Sequence, residues 1–365
     1  MTALCHQPHP TQHAPSKLPR RHTRGVTLIE LMIALGFGLM LILATLSIYM
    51  ANKQTFRQVE NLSRLNENAR IAFDFLGRDF REAGATPCGN NLISNILNDQ
   101  NAINFGGSQK GVTPYGKTQA LPSKNFGTKT AERVISTDAV ILSSANSDNG
   151  VFVKTQNEAA ASLKLNKVES DFEDGEIVLA CNQNFATIFQ ITGVQSSNLT
   201  LIHNTGNSQS TGNCTKVLYR PGEIINCTSS NGAPIDGATI VKTSTISWYI
   251  GHNGRGGKSL YRISRSTNTP EEMVENVTNM EIEYLVADAI KSEPFDYVIS
   301  TNYATTAPKP KGNTSGASYS WWPTNFRLAA ARITLTLQTQ ESVGTDSRPI
   351  VRKLTTVFSL RNQIY

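Results

Sequence analysis

Three residues near the start of the chain have types and spacing suited to chemistry done on the protein: Gly25, Val26 and Glu30. Glu30 is the one charge at the head of an apolar segment, and from Leu31 to Asn52 no charged residue occurs, 22 positions in all. A carboxylate inside such a segment costs ~2.5–3.5 kcal/mol at mid-helix on membrane-insertion scales, so it calls for a partner. Hydrolysis of the Gly25–Val26 bond would supply one. The new Val26 amine, with an ordinary pKa of about 7.7–8.0, is mostly protonated near neutrality. Glu30 lies one helical turn from it. In a packed assembly the carboxylate would neutralise the amine of a neighbouring copy, and both charges would leave water together rather than alone.

Other constellations carry less. Gly111-Val112-Thr113-Pro114-Tyr115-Gly116-Lys117-Thr118 matches the phosphate-loop pattern letter for letter. The mechanism needs a buried strand before the loop and a helix after it. Neither is indicated, since Pro122 follows closely, so the match reads as chance. No Gly-x-Ser-x-Gly and no His-Glu-x-x-His occurs, and no catalytic activity or cofactor is expected. Arg255, Lys258, Arg262 and Arg265 form a basic cluster with no acid from Gly237 to Pro270. DNA phosphate contact would need such charges, but a solvated hairpin is the plainer reading.

The leader Met1–Gly25 holds Lys17, Arg20, Arg21 and Arg24 and no acid. Discarding its four cations from the 34 in the chain leaves 30 against 28 acids, so much of the +6 charge belongs to the leader. Basic residues beside a span stay cytoplasmic, which sends the rest of the chain outward. His6, His9, His13 and His22 also lie in the leader. The remainder keeps His203 and His252, little for a His-based metal site or triad. Cys88, Cys181, Cys214 and Cys227 remain on the exported side, where an oxidising compartment favours two disulfides. Four cysteines allow three pairings. Cys214 and Cys227 flank a short stretch with the turn-forming Pro221-Gly222 and can close a local loop, which leaves Cys88 for Cys181. A zinc site on four scattered cysteines is the competing use.

The elements that must position these residues follow from periodicity. The uncharged run is long enough to span a hydrocarbon core of ~30 Å as a helix. It is too long for the ~7–15-residue core of a secretory signal peptide, and no Ala-x-Ala follows. A plain signal anchor would leave Gly25 and Glu30 unexplained. Beyond Lys53, Phe56, Val59, Leu62, Leu65, Ala69, Ala72, Leu76, Phe80 and Ala83 recur at spacings of three and four, which is helical. Charges of alternating sign, from Arg57 and Glu60 to Arg78 and Glu82, make a second stripe, read as a solvated face. No proline occurs from Val26 to Thr86, and Gly84 with Pro87 then ends the helix. One helix of about 58 residues is expected, some 85–90 Å long at ~1.5 Å per residue.

After Cys88 helical periodicity gives way to β-branched runs separated by Gly, Asn and Ser. Strands are expected at Ala139–Ser143, Val151–Lys154, Glu176–Ala180, Thr187–Thr192, Leu199–His203, Thr239–Gly251, Ser259–Ile263, Thr278–Val286, Arg332–Gln338 and Leu354–Leu360. Asn253 to Gly257 reads as a hairpin turn, and Pro270 to Val274 as a short helical turn. Residues 90–131 and 289–323 read as long surface loops.

Arg24-Gly25-Val26-Thr27-Leu28-Ile29-Glu30 resembles the class III signal of type IV pilins and pseudopilins. There a prepilin peptidase cuts after the glycine and methylates the new terminus; Val26 stands where that family usually has Phe. The stretch from Asn68 to Gly84, closing on Arg78-Asp79-Phe80-Arg81-Glu82-Ala83-Gly84 with Cys88 following, resembles PilW-type minor pilins. So do Asp138–Leu142, Gly175–Leu179, Ser259–Arg262 and Phe358–Asn362. The resemblance implies an α+β protein: a leader (1–25), a transmembrane helix half (26–52), an amphipathic periplasmic half (53–84), and a β-rich antiparallel domain with long loops (85–365). It implies cleavage at Gly25–Val26, methylation of Val26, an assembly salt bridge through Glu30, and a place in the inner membrane and then the pilus. The implied partners are other minor and major pilins, the inner-membrane assembly platform, the peptidase and the bilayer. A minor pseudopilin of a type II secretion system shares the same N-terminus. A signal-anchored periplasmic binding protein would be the alternative of another class, and it would keep its leader.

Overall fold

The computed structural model describes residues 25–89, 93–98, 103, 111–145, 150–167, 172–183, 185–205, 212–218, 232, 234–288, 296–299, 326–344 and 348–363. Helix α1 runs Leu28–Glu82 without interruption over 55 residues. Its start, its stop and its freedom from proline agree with the pattern of the sequence. The chain divides into two compact units, residues 1–56 and 57–365.

In the first unit α1 is apolar and exposed from Leu28 to Met50. It is the single helix among the described residues long and apolar enough to cross a membrane, by length and composition. It is therefore compatible with a single-pass anchor.

The second unit begins with the rest of α1. Strands follow in chain order: β1 (Ile93–Asn95), β2 (Val112–Tyr115), β3 (Ala139–Ser144), β4 (Val153–Asn157) and β5 (Ser162–Leu165). Next come β6 (Ile177–Cys181), β7 (Ala186–Gln190), β8 (Gly193–Gln195), β9 (Thr200–Ile202), β10 (Thr239–Lys242) and β11 (Ser244–His252). The last are β12 (Lys258–Ser264), β13 (Pro270–Glu275), β14 (Val277–Asp288), β15 (Asp296–Ile299), β16 (Phe326–Gln338) and β17 (Val351–Ser359). They form four sheets, in the orders β1-β7-β6-β10, β13-β12-β11-β3-β2, β15-β14-β16-β17 and β4-β5-β9-β8. Among the described strands every pairing is antiparallel except β1 with β7. The class is α+β, as the sequence indicated.

The main core lies where α1 meets two sheets. Leu65, Ala69, Ala72, Leu76, Phe80 and Ala83 pack with Val140, Trp248 and Leu260 of one sheet and Met280, Ile282 and Ile333 of another. Burying a large apolar side chain is worth ~1.5–3 kcal/mol, so this stripe is what holds the helix to the domain. Gly77 permits a close approach, because a Cβ there would stand 2.7 Å from the Phe358 ring. That ring also stacks on Phe80, with centroids 5.9 Å apart. A second core fills the space between the sheet of β6 and the sheet of β5: Val178, Ala180 and Phe189 meet Leu163, Leu165 and Leu201. The opposite face of β6 is buried too, by Leu179 and Cys181 with Leu97 and Ile188. Burial on both faces explains why Ile177-Val178-Leu179-Ala180-Cys181 is a continuous apolar run rather than an alternating one.

Four expectations need correction. The run Thr239–Gly251 is not one strand: it divides at Thr243 into β10 and β11, which belong to different sheets. Thr243 gives both its N–H (3.1 Å) and its hydroxyl (2.8 Å) to the Ile177 carbonyl, and that tether turns the chain from one sheet to the next. Pro270 to Val274 is not a helical turn but most of β13, an edge strand. Proline at its first position is tolerated there, since an edge needs no second row of donors. The span 90–131 contains β1, β2 and buried Ile96, Leu97, Ile103 and Leu121, and β15 lies within 289–323. The rest of 289–323 lies outside the described residues.

Candidate functional site

Gly25, Val26 and Thr27 precede α1 and are exposed. No heavy atom comes within 4 Å of a Cβ built on Gly25, so no steric contact among the described residues calls for glycine there. Thr27 caps the helix: its hydroxyl accepts the Glu30 N–H at 3.3 Å and its carbonyl accepts the Leu31 N–H at 3.1 Å. Thr at the cap with Glu three residues on is the residue pair of a capping box. Glu30 therefore sits in the first turn, where the helix dipole favours a negative charge by ~0.3–1 kcal/mol. Sequence reasoning gave Glu30 an intermolecular role and missed this local one; the Thr-x-x-Glu spacing was the available signal.

The far end of α1 is fastened by several independent contacts. Cys88 and Cys181 are disulfide-bonded across 93 residues, with Cα atoms 5.9 Å apart, and so join the helix exit to β6. The Gly84 N–H donates to the Ser143 carbonyl at 2.8 Å, which hooks the helix end onto β3. The Asn362 amide donates to the carbonyls of Arg81 (3.0 Å) and Ala83 (3.1 Å), two of the acceptors that a helix C-terminus leaves open. Cys214 is also half of a disulfide. Its expected partner, Cys227, lies outside the described residues.

Two buried polar clusters were not foreseen. Asp79 of α1 is almost wholly enclosed, and its Oδ2 accepts the indole N–H of fully buried Trp248 at 2.8 Å and the Nε–H of Arg262 at 3.3 Å. Burial raises the Asp79 carboxyl above its ordinary range, with Arg262 and the Trp248 bond pulling the other way. Arg133, also fully buried, donates to the Gln119, Gly116 (3.0 Å) and Thr137 (2.6 Å) carbonyls and lies over the Phe126 ring. Burial pushes its pKa down to about 10, against the pull of Asp138. It organises a stretch whose sequence reads as loop. Both clusters hold backbone and helix in place, and neither presents a reactive group to solvent.

The remaining candidates are now placed. The phosphate-loop match is edge strand β2 followed by a turn, and Lys117 reaches Glu281 at 3.3 Å. Two of the four clustered cations have acidic partners from outside the stretch considered. Arg255 is ion-paired with Glu272 and lies 3.6 Å from Glu275, and Arg262 meets Asp79 and, at 3.9 Å, Glu271. An open cleft of about 320 Å³ beside this hairpin is lined by polar residues, Asn253, Lys258, Asn276 and Gln338 among them. The helical charge stripe is exposed, with pairs Arg64–Glu60 (2.8 Å) and Arg78–Glu82 (3.4 Å), while Arg57 reaches Glu341 at 2.8 Å. His203 is buried and His252 stands on a different sheet. Among the described residues no group of three or more His, Cys, Asp or Glu is placed to hold a metal.

Compared with known proteins, the chain matches no family model, no curated protein and no solved structure.

Proposed function

We propose that the chain is the precursor of a minor pilin, which takes part in assembling a type IV pilus with other minor pilins and does no catalysis of its own. The observation that carries the reading is the junction Gly25–Val26 followed by Glu30 at the head of an uninterrupted apolar helix. The junction is exposed and non-helical, as a scissile bond must be to enter a peptidase. Glycine before it serves no packing need among the described residues, which fits a residue kept for recognition from outside. The apolar half of α1 supplies the anchor, and the outer half is bolted to a β-rich domain of the exported side. The proposed partners are the prepilin peptidase, the bilayer, the assembly platform, and major and minor pilins. The place is the inner membrane with the β-rich domain in the periplasm, and then the filament.

The test is the mature N-terminus of membrane-extracted protein from cells with an active prepilin peptidase. It should begin at Val26 and carry an N-methyl group; Met1 at the terminus would defeat the reading. The role of Glu30 is separated from its capping role by two variants. Glu30→Gln keeps an amide that can cap but has no charge, whereas Glu30→Ala keeps neither. Both should insert into the membrane and both should fail to co-purify with other minor pilins. Normal co-purification of Glu30→Gln would refute the salt bridge to a neighbouring amine.

A further inference from the structure

Strand β17 is the last of its sheet and pairs on one side only, with β16. Two bonds bracket the pairing and fix which residues face inward. The Thr339 N–H donates to the Ile350 carbonyl and the Leu360 N–H to the Ala329 carbonyl, each at 2.9 Å. In an antiparallel ladder hydrogen-bonded pairs alternate with non-bonded ones. Residues 352, 354, 356 and 358 therefore bond to β16. Val351, Lys353, Thr355, Val357 and Ser359 turn their N–H and C=O groups to the open edge. Among the described residues nothing bonds to that row. The same five side chains are exposed, Val351 by 54% and Val357 by 51%. A nine-residue edge with branched apolar side chains beside its free donors and acceptors is a template for another strand.

We propose that the outer edge of β17 takes up an extended, acidic strand from a different polypeptide. Charge selects the occupant. From Arg348 to Gln363 the chain has four cations, Arg348, Arg352, Lys353 and Arg361, and no acid. Pairing β17 with the β17 of a second copy would bring the like charges of Arg352 and Lys353 from each copy onto one seam. The most acidic edge strand that a second copy could offer among the described residues is β13, and its carboxylates are already engaged: Glu272 and Glu275 by Arg255, Glu271 by Arg262. The edge is thus guarded against its own kind by the lysine that commonly blunts edge strands, and a strand with Glu or Asp facing Lys353 turns that guard into a contact. The inference rests on β17 alone and holds whether or not the N-terminus is processed.

The experiment uses the full chain in detergent micelles and two synthetic nine-residue peptides, one alternating Glu with Val and Thr, the other with Lys in place of Glu. The readout is amide hydrogen exchange. The Glu peptide should slow exchange at 351, 353, 355, 357 and 359 by about tenfold or more, leave the already bonded even-numbered amides unchanged, and lose this effect in Val357→Pro. That variant removes one outward N–H and no ladder bond to β16. Should it fail to fold, Lys353→Glu serves: it should switch the preference from the Glu to the Lys peptide. Equal protection by both peptides, or no protection of the five amides, would overturn the proposal. Protection that rises with protein concentration in the absence of peptide would do so too, by assigning the edge to a second copy.

Discussion

Replacing Asp79 tests how the helix is seated on its domain. The carboxylate has two tasks: it satisfies the Trp248 indole N–H at 2.8 Å and it faces the Arg262 guanidinium at 3.3 Å. Asp79→Ala leaves a fully buried donor without an acceptor, worth about 1–3 kcal/mol. It also deprives a cation that is 29% exposed of its nearer partner, worth ~0–1 kcal/mol once solvent screening is allowed for. The expected loss is about 1–4 kcal/mol, and each kcal/mol lowers Tm by ~2–4 °C for a domain of about 150–250 residues. Asp79→Asn keeps an acceptor for the indole and removes the charge whose burial is unfavourable, so it should cost about 1 kcal/mol or less. The pH dependence has a definite sign. Because burial raises the Asp79 carboxyl, the folded chain keeps the proton over a window in which the unfolded chain has lost it. Stability contributed by this group falls as pH rises through that window, and Asp79→Asn should lack the slope. Urea denaturation of the full chain in detergent, followed by far-ultraviolet circular dichroism with the disulfides intact, measures both variants against the parent chain. Equal stability of the Ala and Asn variants would refute the reasoning.

Other outcomes follow from single contacts. His203 is fully buried with its Nε2 at 3.0 Å from the Lys216 carbonyl, and burial pushes its pKa down to about 4. The unfolded chain therefore takes up the proton first, and stability should fall by up to ~3 kcal/mol as pH drops from about 6.5 to 4; the slope of denaturation free energy against pH should flatten in His203→Gln. Removing the Cys88–Cys181 bridge as the double serine variant should cost about 4–5 kcal/mol, since it closes a loop with a sequence separation of 93, and midpoints of urea unfolding would show it. Gly111→Ala should be among the most damaging small changes, with φ at +88° and a Cβ 2.3 Å from the Ser143 carbonyl oxygen. Expression yield and Tm would report it, and a shift under ~1 kcal/mol would contradict the close packing at the helix exit.

How much the sequence reveals differs by element. The helix is legible because one period of three and four runs unbroken from an apolar segment into an amphipathic one, with proline excluded throughout. The strands with branched residues on both faces, such as β6, are legible for the same kind of reason. The division at Thr243 is not, because β10 and β11 read as one branched run and only the distant Ile177 carbonyl decides where it turns. β13 reads as a short helical turn at Pro270 to Val274, and the arginines that engage its Glu271 and Glu272 come from a hairpin earlier in the chain. Of the candidate residues, Gly25, Val26 and Glu30 stand out by composition alone. Asp79 does not, because one acid among alternating charges looks like part of a solvated stripe until Trp248 is brought over it. Arg133 is silent too, since a lone arginine in a polar stretch gives no sign that three carbonyls will surround it.

The contact between Asn362 and the helix carbonyls has a consequence in time. Its partners Arg81 and Ala83 are made early, and Asn362 comes 281 residues after Arg81. At ~5–20 residues per second, the helix end waits roughly 15–55 s for its cap. Phe358, which fills the space above Gly77, arrives in the same last segment. Until then the stripe of Leu65, Leu76 and Phe80 has no finished sheet to lie on, and it remains a sticky surface on a growing chain. Removal of the segment that carries Phe358 and Asn362 would therefore act less like trimming a tail than like withholding the keystone.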